Sequence, residues 1–163
     1  MKFRILIFAL FFSFMGNAQE TISELLSQHN KKNIPYIKAE ELALPKTHTY
    51  ILDAREENEF KTSHLKNAQW IGFDHFSIDS VYKNIPNKTS KIVVYCSIGI
   101  RSEKIAYQLK KAGYSNVFNL HGGIFEWKNH DFPVYNTEEK ETQNIHVYSK
   151  FWGKWLIKGN KVY

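Results

Sequence analysis

The chain holds one cysteine in 163 residues, and that residue sits in the segment with the most chemical promise. Cys96 is followed by Ser97-Ile98-Gly99-Ile100 and then Arg101-Ser102. A thiolate is a strong nucleophile, and a fixed cation nearby favours thiolate over thiol. Gly99 permits a left-handed backbone, and a short loop of this kind lets successive N–H groups turn inward as an anion nest. If a helix opens at Arg101, its unpaired N–H groups and partial positive charge act in the same direction, and the Ser102 hydroxyl can satisfy an end N–H. One cysteine excludes an internal disulfide and a Cys-rich zinc site. The other reading of Cys96 is a buried, inert thiol.

The elements around this loop must position it. Lys91-Ile92-Val93-Val94-Tyr95-Cys96 is a continuous apolar run, as in a parallel strand buried on both faces. Residues 101–112 read as an amphipathic helix with Ile105, Leu109 and Ala112 on one face, and Gly113 lies just past its end. Short strands are expected within 34–37, 49–53, 68–73 and 116–120, and helical stretches within 39–44, 56–61, 74–85 and 124–129. Strands alternating with helices imply an α/β domain with a parallel sheet and helices on both faces. Asp53 and Arg55 then fall at a strand's C-terminal end, the edge where α/β sites form. Residues 19–33 are polar and helix-compatible, with Ile22, Leu25 and Leu26 on one side.

Both ends differ from this pattern. Met1-Lys2-Phe3-Arg4 is basic, residues 5–15 are apolar except Ser13, and Gly16-Asn17-Ala18 is small. This is the pattern of a secretory signal peptide over 1–18, with an apolar run of about ten residues against the roughly 20 that a spanning helix needs. The expectation is an exported protein, periplasmic or secreted, with no stable membrane span after cleavage. Lys2 and Arg4 leave with the segment, lowering the formal charge from +6 to +4. The remaining basic residues are scattered and form no stripe suited to nucleic acid. At the other end, residues 136–163 carry Tyr148, Phe151, Trp152, Trp155 and Tyr163 between lysines. They either lay their aromatics on the domain surface or expose a patch for a protein partner.

Three segments in order resemble one family. Cys96 to Ser102 looks like the active-site loop of the rhodanese family of sulfurtransferases. Ile51-Leu52-Asp53-Ala54-Arg55, then Glu59-Phe60, Ser63-His64-Leu65 and Ala68, is similar to its N-terminal signature. Leu120-His121-Gly122-Gly123, then Trp127 and Pro133-Val134, resembles its C-terminal signature. The resemblance covers 34–135 and is closest to the exported single-domain, phage-shock type. It departs where Ser63, Asn67 and His130-Asp131 replace usual glycines, and where the loop carries no charge between Cys96 and Arg101.

The resemblance implies a three-layer α/β/α fold with a central, mostly parallel five-stranded sheet. It implies that Cys96 takes a sulfur from a small anionic donor such as thiosulfate, becomes a persulfide, and passes the sulfur to cyanide or a thiol. Ser97, Ile98, Gly99, Ile100, Arg101 and Ser102 would form the binding loop, with Arg101 at its rim. Asp53, Arg55 and His64 would support it, while Glu59 would either pair with a nearby base or have only a solvated or bracing role. No metal or organic cofactor is implied. The related loop of cysteine phosphatases is one residue longer, so this shorter cradle suits sulfur better than phosphate. The alternative is a non-enzymatic sulfur carrier or protein-binding module. Redox sensing is a third reading, with no second cysteine to resolve an oxidised thiol.

Overall fold

The strand before the cysteine anchors the architecture. In the computed structural model, which describes residues 20–45 and 48–163, Ile92–Tyr95 is fully buried and occupies the middle of a five-stranded sheet. The export segment expected at 1–18 lies outside the described residues. Strands are β1 (Tyr36–Ile37), β2 (Tyr50–Asp53), β3 (Gln69–Trp70), β4 (Ile92–Tyr95) and β5 (Val117–Leu120), in the order β1-β5-β4-β2-β3. All four pairings are parallel, with Asp53 opposite Tyr95 and Val94 opposite Asn119. Helices are α1 (Ile22–His29), α2 (Ala39–Ala43), α3 (Glu57–Thr62), α4 (Ile78–Asn84), α5 (Ile100–Lys111) and α6 (Gly123–Asn129).

The alternation of side chains along β4 divides the interior in two. Ile92 and Val94 pack with Val81 and Ile85 from α4 and with Ile105, Ala106 and Leu109 from α5. Val93 and Tyr95 face the other way, onto α1, α2 and α6. Strands buried on both faces must be apolar throughout, which is why β4 carries no alternation in its sequence. This is the expected three-layer α/β/α arrangement, and the sheet is parallel throughout.

Local chemistry fixes several ends. Thr21 caps α1 in a reciprocal capping box with Glu24. Ser77 caps α4 by accepting from the Ser80 N–H, so this helix starts later than the run from residue 74 suggested. The strand expected within 68–73 is only two residues long, because Gly72 turns the chain at φ +67°. Helix α1, in the polar 19–33 segment, contributes Ile22, Leu25 and Leu26 to the first core.

The last segment has structure of its own. β6 (Val134–Tyr135) pairs antiparallel with β7 (Glu141–Thr142), and β8 (Asn144–His146) pairs parallel with β9 (Asn160–Val162) around a 3-10 turn at Trp152–Trp155. Ile145, Val147, Trp155 and Leu156 join the first core, and the Trp155 indole N–H donates to the Glu20 carbonyl at 3.0 Å. Tyr148, Phe151 and Tyr163 remain exposed. Four of the segment's apolar side chains are therefore core, not surface cladding. Trp155→Ala is expected to lower unfolding stability by about 3–5 kcal/mol in urea titrations. Removing residues 143–163 should lower the midpoint further, and an unchanged midpoint would show the segment to be a mere appendage.

Candidate active site

Cys96 leaves the C-terminal end of β4 and enters a turn that α5 closes. Gly99 is the N-cap of α5 at φ +109°, a conformation that L side chains rarely adopt. The turn's carbonyls point away from its centre because α6 holds them. The Ile124 N–H donates to the Cys96 carbonyl at 3.0 Å, and the Phe125 N–H donates to the Ser97 carbonyl at 3.1 Å. A Cβ on Gly123 would lie 2.1 Å from the Cys96 carbonyl oxygen, so only glycine permits this approach. The Gly99 amide is thereby left to face the sulfur.

Two groups meet the sulfur. The Gly99 N–H donates to Cys96 Sγ at 3.1 Å, and Ser102 Oγ lies 3.4 Å from it. Ser102 Oγ also donates to Asn119 Oδ1 at 2.7 Å, and Asn119 Nδ2 donates to the Gly99 carbonyl at 2.8 Å. Asn119 thus ties both ends of the turn to β5. Ser102 does not cap α5 as its position suggested. It is fully buried, so its hydroxyl meets the sulfur and Asn119 instead of a free end N–H.

Arg101 is held in place by a buried carboxylate. Its Nη1 and Nη2 donate to the two Glu59 oxygens at 2.7 and 2.8 Å, a two-pronged pairing. The Ser97 hydroxyl donates to Glu59 as well, at 2.9 Å, and accepts from Arg101 Nη2 at 3.0 Å. Burial pushes the Glu59 carboxyl up, but the Arg101 guanidinium outweighs it and holds the group below its usual range. Burial likewise pushes the Cys96 thiol up. The Arg101 charge, the Ser102 hydroxyl and amide and the Gly99 amide outweigh that and hold the thiol below its ordinary value.

The supporting residues lie behind the loop and do not line the pocket. Arg55, fully buried, pairs with Asp53 at 2.6 Å and donates to the Ser63 carbonyl at 2.6 Å. Its own carbonyl accepts from the Trp70 indole at 2.8 Å. The pair joins the end of β2 to the end of α3, and the Arg55 backbone meets the last residue of β3. His64 stacks on Phe60 at 4.2 Å, and its backbone bridges to Tyr135. Both are positions of bracing.

Cys96 lines an open pocket of about 370 Å³ together with Ser97, Ile98, Ile100 and Arg101. The pocket's outer wall includes Phe73, Tyr148 and Trp152. The loop residues were legible as a group in the sequence; Asn119 and the distant wall were not singled out. A polar residue inside the apolar strand Val117–Leu120 is the sequence signal that marks Asn119, whereas nothing local marks Tyr148 or Trp152 as neighbours of Cys96.

The electrostatics make a prediction. A thiol held below its ordinary value becomes reactive at lower pH, so the iodoacetamide alkylation profile of Cys96 should have its midpoint below the free-cysteine value of about 8.5. In Arg101→Gln the midpoint should rise. Identical profiles in both proteins would remove the role given to the Arg101 charge.

Known proteins resemble this chain. The profile of the Rhodanese-like domain matches residues 38–130. Thiosulfate sulfurtransferase 18 of Arabidopsis thaliana is 34% identical over 105 residues, covering 58% of this chain and 76% of the relative. A tRNA uridine(34) hydroxylase of Onion yellows phytoplasma is 37% identical over 97 residues, covering 54% of this chain. The chain spans only 30% of that protein's length. Among solved structures, a rhodanese-related protein from Thermoplasma volcanium superposes with a TM-score of 0.54 at 26% identity, over 61% of this chain and 96% of the other. A thiosulfate sulfurtransferase from Pseudomonas aeruginosa shares the fold with a TM-score of 0.58 at 20% identity, over 83% of this chain and 25% of the other. With the profile covering more than half its residues, and with a lone cysteine in an inward-facing turn, this chain belongs to the rhodanese-like domain family.

Proposed function

We propose that this chain is an exported sulfurtransferase. It moves a sulfane sulfur from a donor such as thiosulfate to a thiophilic acceptor, cyanide or a thiol, through a persulfide on Cys96. The observation that carries this reading is that Cys96 lines the pocket with its sulfur 3.1 Å from the Gly99 N–H and within the field of Arg101. The sulfurtransferase name of the Arabidopsis relative supports the same class. Export rests on the basic, apolar and small-residue pattern of residues 1–18.

The chemistry proceeds in two displacements. The Cys96 thiolate attacks the donor's outer sulfur, forming a new S–S bond. The bond between that sulfur and the rest of the donor breaks, and its electron pair leaves on sulfite when thiosulfate is the donor. The product is a persulfide anion whose charge the loop amides accept. An acceptor thiolate or cyanide then attacks the terminal sulfur, and Cys96 departs as the thiolate. Electrons and atoms balance with no external oxidant or reductant, in a ping-pong sequence.

One observation favours a second reading, a sulfur carrier loaded by a protein. Arg101 is engaged on both its terminal nitrogens by Glu59, which leaves it less available to a small anion than a free guanidinium would be. Sustained turnover with excess small donor and cyanide would exclude a pure carrier. A single loading event without turnover would support one.

Intact-protein mass after incubation with excess thiosulfate tests the main reading. The wild type should gain the mass of one sulfur, lost on adding a thiol, and Cys96→Ala should gain none. Loading in Arg101→Ala should slow by about tenfold near neutral pH, because the thiol loses the charge that holds it below its ordinary value. Equal sulfur uptake by wild type and Cys96→Ala would end the proposal.

A further inference from the structure

The pocket above Cys96 is built partly by residues outside the matched family segment. Tyr148 and Trp152 come from the C-terminal segment, beyond residues 38–130, yet both line the same cavity as the cysteine. Tyr148 is held at φ +61°, a strained setting for a bulky aromatic residue, and strain of this kind concentrates at functional sites. The Tyr148 N–H donates to His146 Nδ1 at 3.1 Å, which fixes the turn. Its ring lies 5.8 Å from the Arg101 guanidinium. Trp152 packs against Phe151 at 5.0 Å and against the core residue Trp155 at 5.5 Å, so it is a braced wall. Phe73 adds a third aromatic face.

The charge in the pocket is as informative as its walls. Glu56 and Asp74 line it and bring two carboxylates, and His29 also lines it, bonded through Nδ1 to the Leu25 carbonyl at 3.0 Å. Among the described lining residues Arg101 is the one arginine or lysine, and it already pairs with Glu59 at 2.7 Å and lies 4.0 Å from Glu56. A dianion such as thiosulfate entering here gains little from Arg101 and is repelled by the carboxylates. A flat apolar body gains contact with three aromatic rings and loses little hydration.

We infer that the C-terminal segment makes this a site for organic sulfane-sulfur compounds with an apolar, aryl- or alkyl-type body, with Tyr148, Trp152 and Phe73 selecting that body and Asp74 disfavouring inorganic dianions. The inference rests on the sulfurtransferase reading and names the substrate class of the same site. With an aryl thiosulfonate, the Cys96 thiolate takes the outer sulfur, the S–S bond to the sulfonyl group breaks, and the electron pair leaves on the aryl sulfinate. The reaction is the one written for thiosulfate, with an aryl group in place of one charged oxygen.

The test compares two donors on the full chain, benzenethiosulfonate and thiosulfate, by the rate of sulfur addition to Cys96. The aryl donor should have a kcat/KM about tenfold higher or more, the scale on which an apolar contact discriminates. Tyr148→Ala and Phe73→Ala should each erase most of that preference, lowering use of the aryl donor severalfold more than use of thiosulfate. Asp74→Asn should raise thiosulfate use more than use of the aryl donor, which carries one negative charge fewer. Alkylation of Cys96 by iodoacetate and by neutral N-benzyl iodoacetamide reads the pocket's preference without any sulfur transfer. A preference for the benzyl reagent that Tyr148→Ala removes supports the pocket assignment even if neither donor loads, in which case only the sulfurtransferase reading falls. Equal rates with both donors and both alkylating reagents, unchanged in the variants, would overturn the inference and leave sulfur transfer standing.

Discussion

Everything at this site depends on a close contact between two backbones. The carbonyls of Cys96 and Ser97 are drawn toward the N–H groups of Ile124 and Phe125 at the start of α6. Gly123 is what lets α6 come so near, since any side chain there would collide with the Cys96 carbonyl. Pulling the carbonyls outward leaves the Gly99 amide facing the sulfur, and the left-handed Gly99 completes the turn before α5 begins. The thiol chemistry follows from this backbone arrangement, and a cysteine at the end of another strand would lack it.

The charges then settle in a fixed order. Glu59 is fully buried and would be costly to ionise alone, but Arg101 meets it with two hydrogen bonds. That pairing also sets where the Arg101 charge stands relative to Cys96. The guanidinium lowers the thiol while its own field is partly cancelled by Glu59. The arrangement suits a group that must hold one negative charge at the sulfur without drawing highly charged ions into the pocket. Behind it, the Asp53–Arg55 pair and His64 keep β2, α3 and the turn before β3 in register.

Much of this was legible in the sequence, for identifiable reasons. The apolar run of β4, the periodicity of α5 and the glycine after it are local signals, and each element formed where its pattern placed it. The cysteine loop was legible because glycine and arginine stand at fixed distances from the thiol. Ser102 went differently, because its burial against Asn119 depends on a strand 17 residues away. The C-terminal aromatics divided between roles that composition cannot separate. Trp155 is core and Tyr148 is a pocket wall, and only the chain's path through β8 and β9 decides which is which. Short strands such as β3 were overestimated because β propensity says nothing about where a partner strand ends.

The central claim is that Cys96 carries a transferable sulfur. The most direct measurement is peptide mapping of protein isolated from its native compartment under alkylating conditions. The account predicts that the peptide containing Cys96 is recovered with a trapped, thiol-labile extra sulfur. Recovery of Cys96 only as the plain thiol or as an oxygen-oxidised acid would contradict it.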